Sequence, residues 1–182
     1  MATGEDTFGT GIGHALTDDD AFSRRTDAYL ARALGLASYL LGDPGEAEDA
    51  TQEAMARAWR ARRSLRQPDS FEAWIDRIVV NTCWERLRRT RRLAEITLAG
   101  DSPSSVPDGF AAVLARDSVG RALVALTAEQ RTVVVLRFWR DLSLEQIAER
   151  LEWPLGTVKS RLHYALAALR QQLERDDREA DR

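Results

Sequence analysis

The chain of 182 residues is 44% hydrophobic with a formal net charge of −3. That is enough apolar content for a core, excluding disorder throughout, and too little positive charge for a protein that coats nucleic acid regardless of sequence. The charge is uneven: residues 1–56 sum to −8, residues 57–92 carry eleven arginines against four acids, and residues 93–182 sum to −2. A basic block therefore lies between acidic ends.

The single cysteine, Cys83, excludes an internal disulfide and any multi-cysteine metal site, and His14 and His163 are too isolated to supply one. No metal and no cofactor are expected. No apolar run approaches a membrane span, and the first twenty residues lack the basic start and apolar centre of a signal peptide. A cytoplasmic protein without membrane insertion is expected. Arginine outnumbers lysine 25 to 1, leaving Lys159 as the sole lysine.

Residues 1–18, rich in Gly, Thr and Asp without periodicity, are expected to form a disordered tail. The spacing predicts a helix over Asp20–Leu41 with Phe22, Tyr29, Leu30, Ala33, Leu36, Ala37 and Leu40 on its apolar face, ended by Gly42, Asp43, Pro44 and Gly45. A second helix, about 46–62, carries a stripe of small residues, Ala47, Ala50, Ala54, Ala58 and Ala61, that lets a neighbour approach closely. Its outer face gathers Asp49, Gln52, Glu53 and Arg60, with Trp59 at the edge. Such a face is either solvated or an interaction surface.

Arg62–Ser70 is a polar connector with a proline, and Ser70 suits the cap of a helix from Phe71 to about Arg92. That helix has a buried side of Phe71, Trp74, Ile75, Ile78, Val79, Thr82 and Leu87. Its exposed side carries Arg77, Asn81, Arg88, Arg89, Arg91 and Arg92, a pattern suited to single-stranded nucleic acid. Phe71 and Trp74 read as core, whereas the Asn81 amide has a donor and an acceptor for a base edge. Residues 93–112 lose periodicity and read as an interdomain linker. Helices follow over Asp117–Leu126 and Thr127 to about Trp139, the latter with a Thr127…Gln130 capping box and Val133, Val134, Leu136 and Phe138 as core.

Ser143–Arg170 reads as two helices around a three-residue corner, Glu152, Trp153 and Pro154. Leu144, Ile147, Ala148 and Leu151 line the first. Val158, Leu162, Ala165, Leu166 and Leu169 line the second. No acidic residue occurs from Trp153 to Leu173, so the outer face of the second helix can meet phosphates through Thr157, Lys159 and Arg161 and base edges through Lys159, Ser160 and His163. This pattern matches a helix-turn-helix, with an ordinary antiparallel helix pair as the alternative. Residues 174–182, all charge and alanine, are expected to be a charged tail that continues the last helix as a fraying end.

In order, GDPGEAEDATQEAMARAW, FEAWIDRIVVNTCWERLRRTRR and LTAEQRTVVVLRFWRDLSLEQIAERLEWPLGTVKSRLHYALAALR closely resemble the extracytoplasmic-function (ECF) group of bacterial sigma-70 family RNA polymerase sigma factors. The resemblance spans roughly residues 20–173. It implies an all-α chain of two small helical domains on a flexible linker: sigma region 2 over 19–92 and sigma region 4, with the helix-turn-helix, over 113–173.

It further implies recruitment rather than catalysis. Asp49, Gln52, Glu53 and Trp59 would dock on the β′ clamp helices of core RNA polymerase. Arg62, Arg63, Arg66, Arg77, Asn81, Arg88 and Arg89 would open and read the −10 element of promoter DNA as a single strand, with the arginines from Arg86 to Arg92 on adjoining phosphates. Thr157, Lys159, Ser160, Arg161, His163 and Tyr164 would read the −35 element while region 4 rests on the β flap, and an anti-sigma factor is the expected inhibitor. Met55 stands where the family often has an aromatic residue, Ala50 and Thr51 are smaller than usual there, and His163 occupies a variable readout position. A helix-turn-helix regulator acting without polymerase is the rival reading, but the N-terminal half shows no sensor pattern. A nucleic-acid enzyme would need clustered metal-binding carboxylates or a nucleophile with its base, and neither is present in the sequence.

Overall fold

The computed structural model describes residues 10–65, 70–97 and 118–180, and every described element is helical. Helix α1 spans Thr10–Leu41, α2 Pro44–Ala61 and α3 Phe71–Thr97, with a short 3-10 turn at Arg62–Ser64. The second half contains α4 (Ser118–Val124), α5 (Ala128–Val134), a π-helical turn (Val135–Trp139), α6 (Leu144–Leu151) and α7 (Leu155–Ala180). Most of the expected linker, and Arg66 of the connector, lie outside the described residues.

Several boundaries differ from the sequence expectation. Helix α1 already runs from Thr10, inside the stretch read as a tail, whereas the run of α7 to Ala180 agrees with a helix end in the charged C-terminal segment. Asp43, read as part of the stop after α1, caps α2: its carboxylate accepts from the Glu46 N–H at 2.7 Å, with Pro44 in the first turn. Gly42, at φ +75°, supplies the left-handed turn between α1 and α2.

Helices α1–α3 form one bundle. Ala47, Ala50, Ala54 and Ala58 are fully buried and let α2 approach α1 and α3, whereas Ala61 at the end of the stripe is exposed. Leu30, Phe138 and Leu166, each expected to be buried, are 46%, 61% and 41% exposed. Leu30 and Leu166 occupy the edges of their apolar stripes. Phe138 falls in the π turn, where the backbone widens; the Arg140 N–H donates to the Val135 carbonyl, five residues back, and shifts the face presented to the core.

In the second half α7 packs on α4, α5 and α6. The described parts of the two halves meet directly. One apolar cluster joins Ala33, Leu36, Val79 and Val80 of the first bundle to Val133, Leu136, Ile147 and Val158 of the second.

Candidate nucleic-acid interface

The acidic face of α2 forms as expected, but arginines from its own helix and from α3 hold it. Asp49 and Gln52 are exposed. Glu53 is half-buried, accepting from Arg57 at 2.6 Å and Arg86 at 3.3 Å. Burial alone would raise its pKa, but the hydrogen bond from Arg57 and the charges of Arg57 and Arg86 hold the carboxyl below its usual range. Arg86 also reaches Glu46 at 2.9 Å and Asp49 at 3.8 Å. The structure thus spends Arg86, expected on a phosphate, on tying α3 to α2.

Trp59 is 41% exposed, packs edge-on to Phe22 with centroids 5.9 Å apart, and carries the Arg62 guanidinium 4.4 Å above its ring. Arg62 also forks onto Asp19 at 2.6 and 3.1 Å, and the Arg62 hydrogen bond lowers the pKa of Asp19. Of the connector arginines, Arg62 is therefore engaged internally and Arg63 is exposed.

On α3, Asn81, Arg88 and Arg89 are exposed as expected, while Arg77 is half-buried and ion-pairs with Glu152 in the corner of the helix-turn-helix. Phe71 is buried. Trp74 is half-buried and lines a cleft of about 380 Å³ with Ser64, Leu65, Arg77, Arg150 and Glu152. The cleft has one wall from each half of the molecule.

The helix-turn-helix owes its shape to two local devices. Ser143 and Gln146 form a reciprocal capping box that starts α6. Glu152, at φ 55° and ψ 41°, takes the left-handed conformation that ends α6 and turns the chain. The Pro154 carbonyl then accepts from the Thr157 and Val158 N–H groups at 2.9 and 3.2 Å to open α7. Val158 and Ala165 are fully buried, so Lys159, Ser160, His163 and Tyr164 point outward. His163 and Tyr164 meet edge-on at 5.6 Å. Thr157 and Arg161 are half-buried, and the Arg161 guanidinium lies 3.9 Å over the Trp153 ring.

Sequence reasoning missed a charged cluster between the halves. Asp76 of α3 is 1% exposed and accepts from Tyr29 of α1, Arg140 after the π turn and Arg150 of α6. Burial, with the charge of Asp76 next in importance, pushes the Tyr29 hydroxyl far above its ordinary range and keeps it a neutral donor. Trp84 stacks on Trp153 at 5.4 Å and donates through Nε1 to Thr132 Oγ1 at 3.1 Å. The signal was present: Asp76, Val80 and Cys83 repeat at i, i+4 and i+7, a second buried stripe on α3 beside the one that was read.

Residues 26–93 match the family sigma-70 region 2, and residues 122–171 match sigma-70, region 4. The chain is 34% identical over 168 residues to the RNA polymerase sigma-E factor of Streptomyces antibioticus, covering 92% of this chain and 91% of that one. It is 34% identical over 169 residues to the ECF RNA polymerase sigma factor SigW of Bacillus subtilis, covering 86% and 90%. Its fold is similar to that of the sigma factor RpoE from Bartonella quintana, solved in complex with the anti-sigma factor NepR, at a TM-score of 0.69 and 24% identity over 85% of this chain and 97% of that one. Sigma factors are regulatory subunits rather than catalysts, and no described helix here is long and apolar enough to cross a membrane. The order of the two regions, the all-α fold and near full-length relatives of one kind place this chain in the ECF group of sigma-70 family RNA polymerase sigma factors, as an alternative sigma factor.

Proposed function

We propose that this sigma factor acts non-catalytically in the cytoplasm, docking on core polymerase through Asp49, Gln52 and Trp59 of α2 and reading promoter DNA with both halves. In this reading the β′ clamp helices receive the α2 face and the β flap receives region 4. Arg63, Asn81, Arg88 and Arg89 follow the melted −10 strand, with Asn81 reading a base. Lys159, Ser160 and His163 enter the −35 major groove, while Thr157 and Arg161 hold its walls. Glu53 serves chiefly to fix the α2 face, since two arginines already engage it. An anti-sigma factor is the fitting inhibitor for such a pair of surfaces.

The observation that carries this reading is the outer face of α7, where Lys159, Ser160, His163 and Tyr164 are exposed on a stretch free of acids, opposite buried Val158 and Ala165. Reconstituted transcription with core polymerase on a library of randomised −35 sequences tests it. His163→Ala should reorder the preferred sequences, each lost base contact costing about 1–3 kcal/mol, whereas Arg161→Ala should weaken all sequences alike and flatten the salt dependence. The reverse outcome overturns the orientation assigned to α7. Asp49→Arg with Gln52→Ala should reduce polymerase capture in the same assay; unchanged capture removes α2 from the interface.

A further inference from the structure

Arg161 differs from Arg62 and Arg86 in which part of its guanidinium is held. Those two spend their N–H edges on carboxylates, Arg62 forking onto Asp19 and Arg86 reaching Glu46 and Glu53. Arg161 is gripped by its flat face instead. Its guanidinium carbon lies 3.9 Å from the centre of the Trp153 ring, and its N–H edge meets no acceptor among the described residues. A guanidinium stacked on an indole keeps its donors in its own plane, where they can still fork onto a phosphate.

The ring is a fixed platform. The left-handed Glu152 ends α6, the Trp153 N–H donates back to the Ala148 carbonyl at 2.9 Å, and Pro154 follows with its φ locked. The indole is half-buried against the apolar cluster that contains Ile147, Leu151 and Val158. Arg161 stands one turn beyond Thr157 on the same edge of α7; both are half-buried, whereas Lys159, Ser160 and His163 are exposed. Both partners of the stack lie within the helix-turn-helix, so the grip travels with that motif. A free arginine side chain gives up much rotamer freedom when a phosphate fixes it. One already laid on an indole has given up part of that freedom before DNA arrives.

From this geometry we infer that Trp153 is a positioning residue for promoter binding: it holds the Arg161 guanidinium by its face, leaves the donor edge open for a phosphate on the wall of the −35 groove, and strengthens binding without touching DNA. The inference rests on the DNA-directed reading of Arg161. Because the ring adds no charge and reads no base, its contribution is the same for every −35 sequence and leaves the number of displaced counterions unchanged.

The test measures promoter binding by the full chain in complex with core polymerase, on duplex promoters of varied −35 sequence over a range of salt. Circular dichroism and polymerase capture first establish that each variant folds and assembles. Trp153→Met, which fills apolar space but has no flat aromatic face, should weaken all −35 sequences about threefold to tenfold, the cost of ordering one free arginine, with their ranking and the salt slope unchanged. Trp153→Phe, which keeps an aromatic face, should recover most of the loss. Arg161→Ala should weaken binding at least as much and lower the salt slope by about one, and adding Trp153→Met to it should cost nothing further. In the wild-type chain itself, nuclear magnetic resonance should find the Arg161 δ-methylene protons shifted upfield by the indole ring current.

An equal loss from Trp153→Met with and without Arg161→Ala overturns the inference, because Trp153 then acts through the fold or on DNA directly. So do a Trp153→Phe variant no better than Trp153→Met, a changed −35 ranking, or Arg161 protons at random-coil positions. An Arg161→Ala variant with unchanged affinity and salt slope overturns instead the DNA role of Arg161 on which the inference rests.

Discussion

Arg131 shows how far a single residue can depart from what its type suggests. It is 6% exposed, and its guanidinium donates to the carbonyls of Leu40 at 2.6 Å, Val124 at 2.6 Å and Leu126 at 3.3 Å. These carbonyls belong to the ends of α1 and α4 and the turn after α4, where backbone acceptors lack helical partners and a cation is favoured. Burial lowers the Arg131 pKa to about 10, so it remains charged at neutral pH. Arg131→Met should cost about 3 kcal/mol, because a buried charged donor is lost and its acceptors are stranded; thermal unfolding measures this, and a loss under about 1 kcal/mol contradicts the assignment. Neither Arg131 nor Asp76 was legible as a buried charge, since the default for both residue types is the surface. Phe71, Ile75 and Val79 were legible because helical spacing and apolar character agree.

At the scale of elements, chemistry local to the chain was the most readable. The Thr127–Gln130 box closes in the structure as expected, since four consecutive residues contain the whole device, and Ser143 starts α6 through a second box with Gln146 that the sequence reading did not name. Ser143→Ala should destabilise the protein by about 1 kcal/mol and fray α6; chemical denaturation with an unchanged m-value would show it, and an unchanged midpoint would mean that tertiary packing alone holds the start of α6. The π turn at Val135–Trp139 was not readable. VLRFW carries no proline or glycine, and the wider turn follows from backbone bonds to Val135 and Leu136 rather than from any signature residue. Asp43 was misassigned for a related reason: between two helices a turn residue can end one or cap the next, and only the bond from the Glu46 N–H decides.

For the whole molecule, the sequence reading showed one apolar face of α3 but neither its second buried stripe at Val80 and Cys83 nor what covers it, so the two regions were legible and their contact was not. The charges yield a stability profile. Glu53, Asp19 and Glu145 all have lowered pKa values: Glu53 against the effect of burial through Arg57 and Arg86, Asp19 through its Arg62 hydrogen bond, and Glu145 through its own backbone N–H and Ser143. Carboxylates depressed on folding stabilise above their ordinary values of 3.8–4.5 and lose that contribution as pH falls through the lower folded values. Cys83 behaves oppositely. Burial raises its thiol from 9.0 to about 12, so stability is full below 9.0 and declines as pH rises from there toward the folded value. Thermal midpoints should therefore be flat between roughly pH 5 and 9 and fall on both sides. A midpoint that keeps rising below pH 4 would contradict the carboxylate pairing.

Lys159 stands exposed on the outer face of α7 as the only lysine in 182 residues. Amine-selective acylation therefore has a single side-chain target in this protein, and that target lies on the helix assigned to the −35 groove. Quantified by peptide mass spectrometry, the acylation rate at that one nitrogen becomes a footprint of helix seating. It should be high in the free chain, high in the polymerase complex without DNA, and strongly suppressed once a promoter is bound. Equal labelling with and without promoter would place α7 outside the groove. The same arithmetic makes any acylation in the cell selective, since it would remove one charge from the reading helix and leave the arginine surfaces untouched.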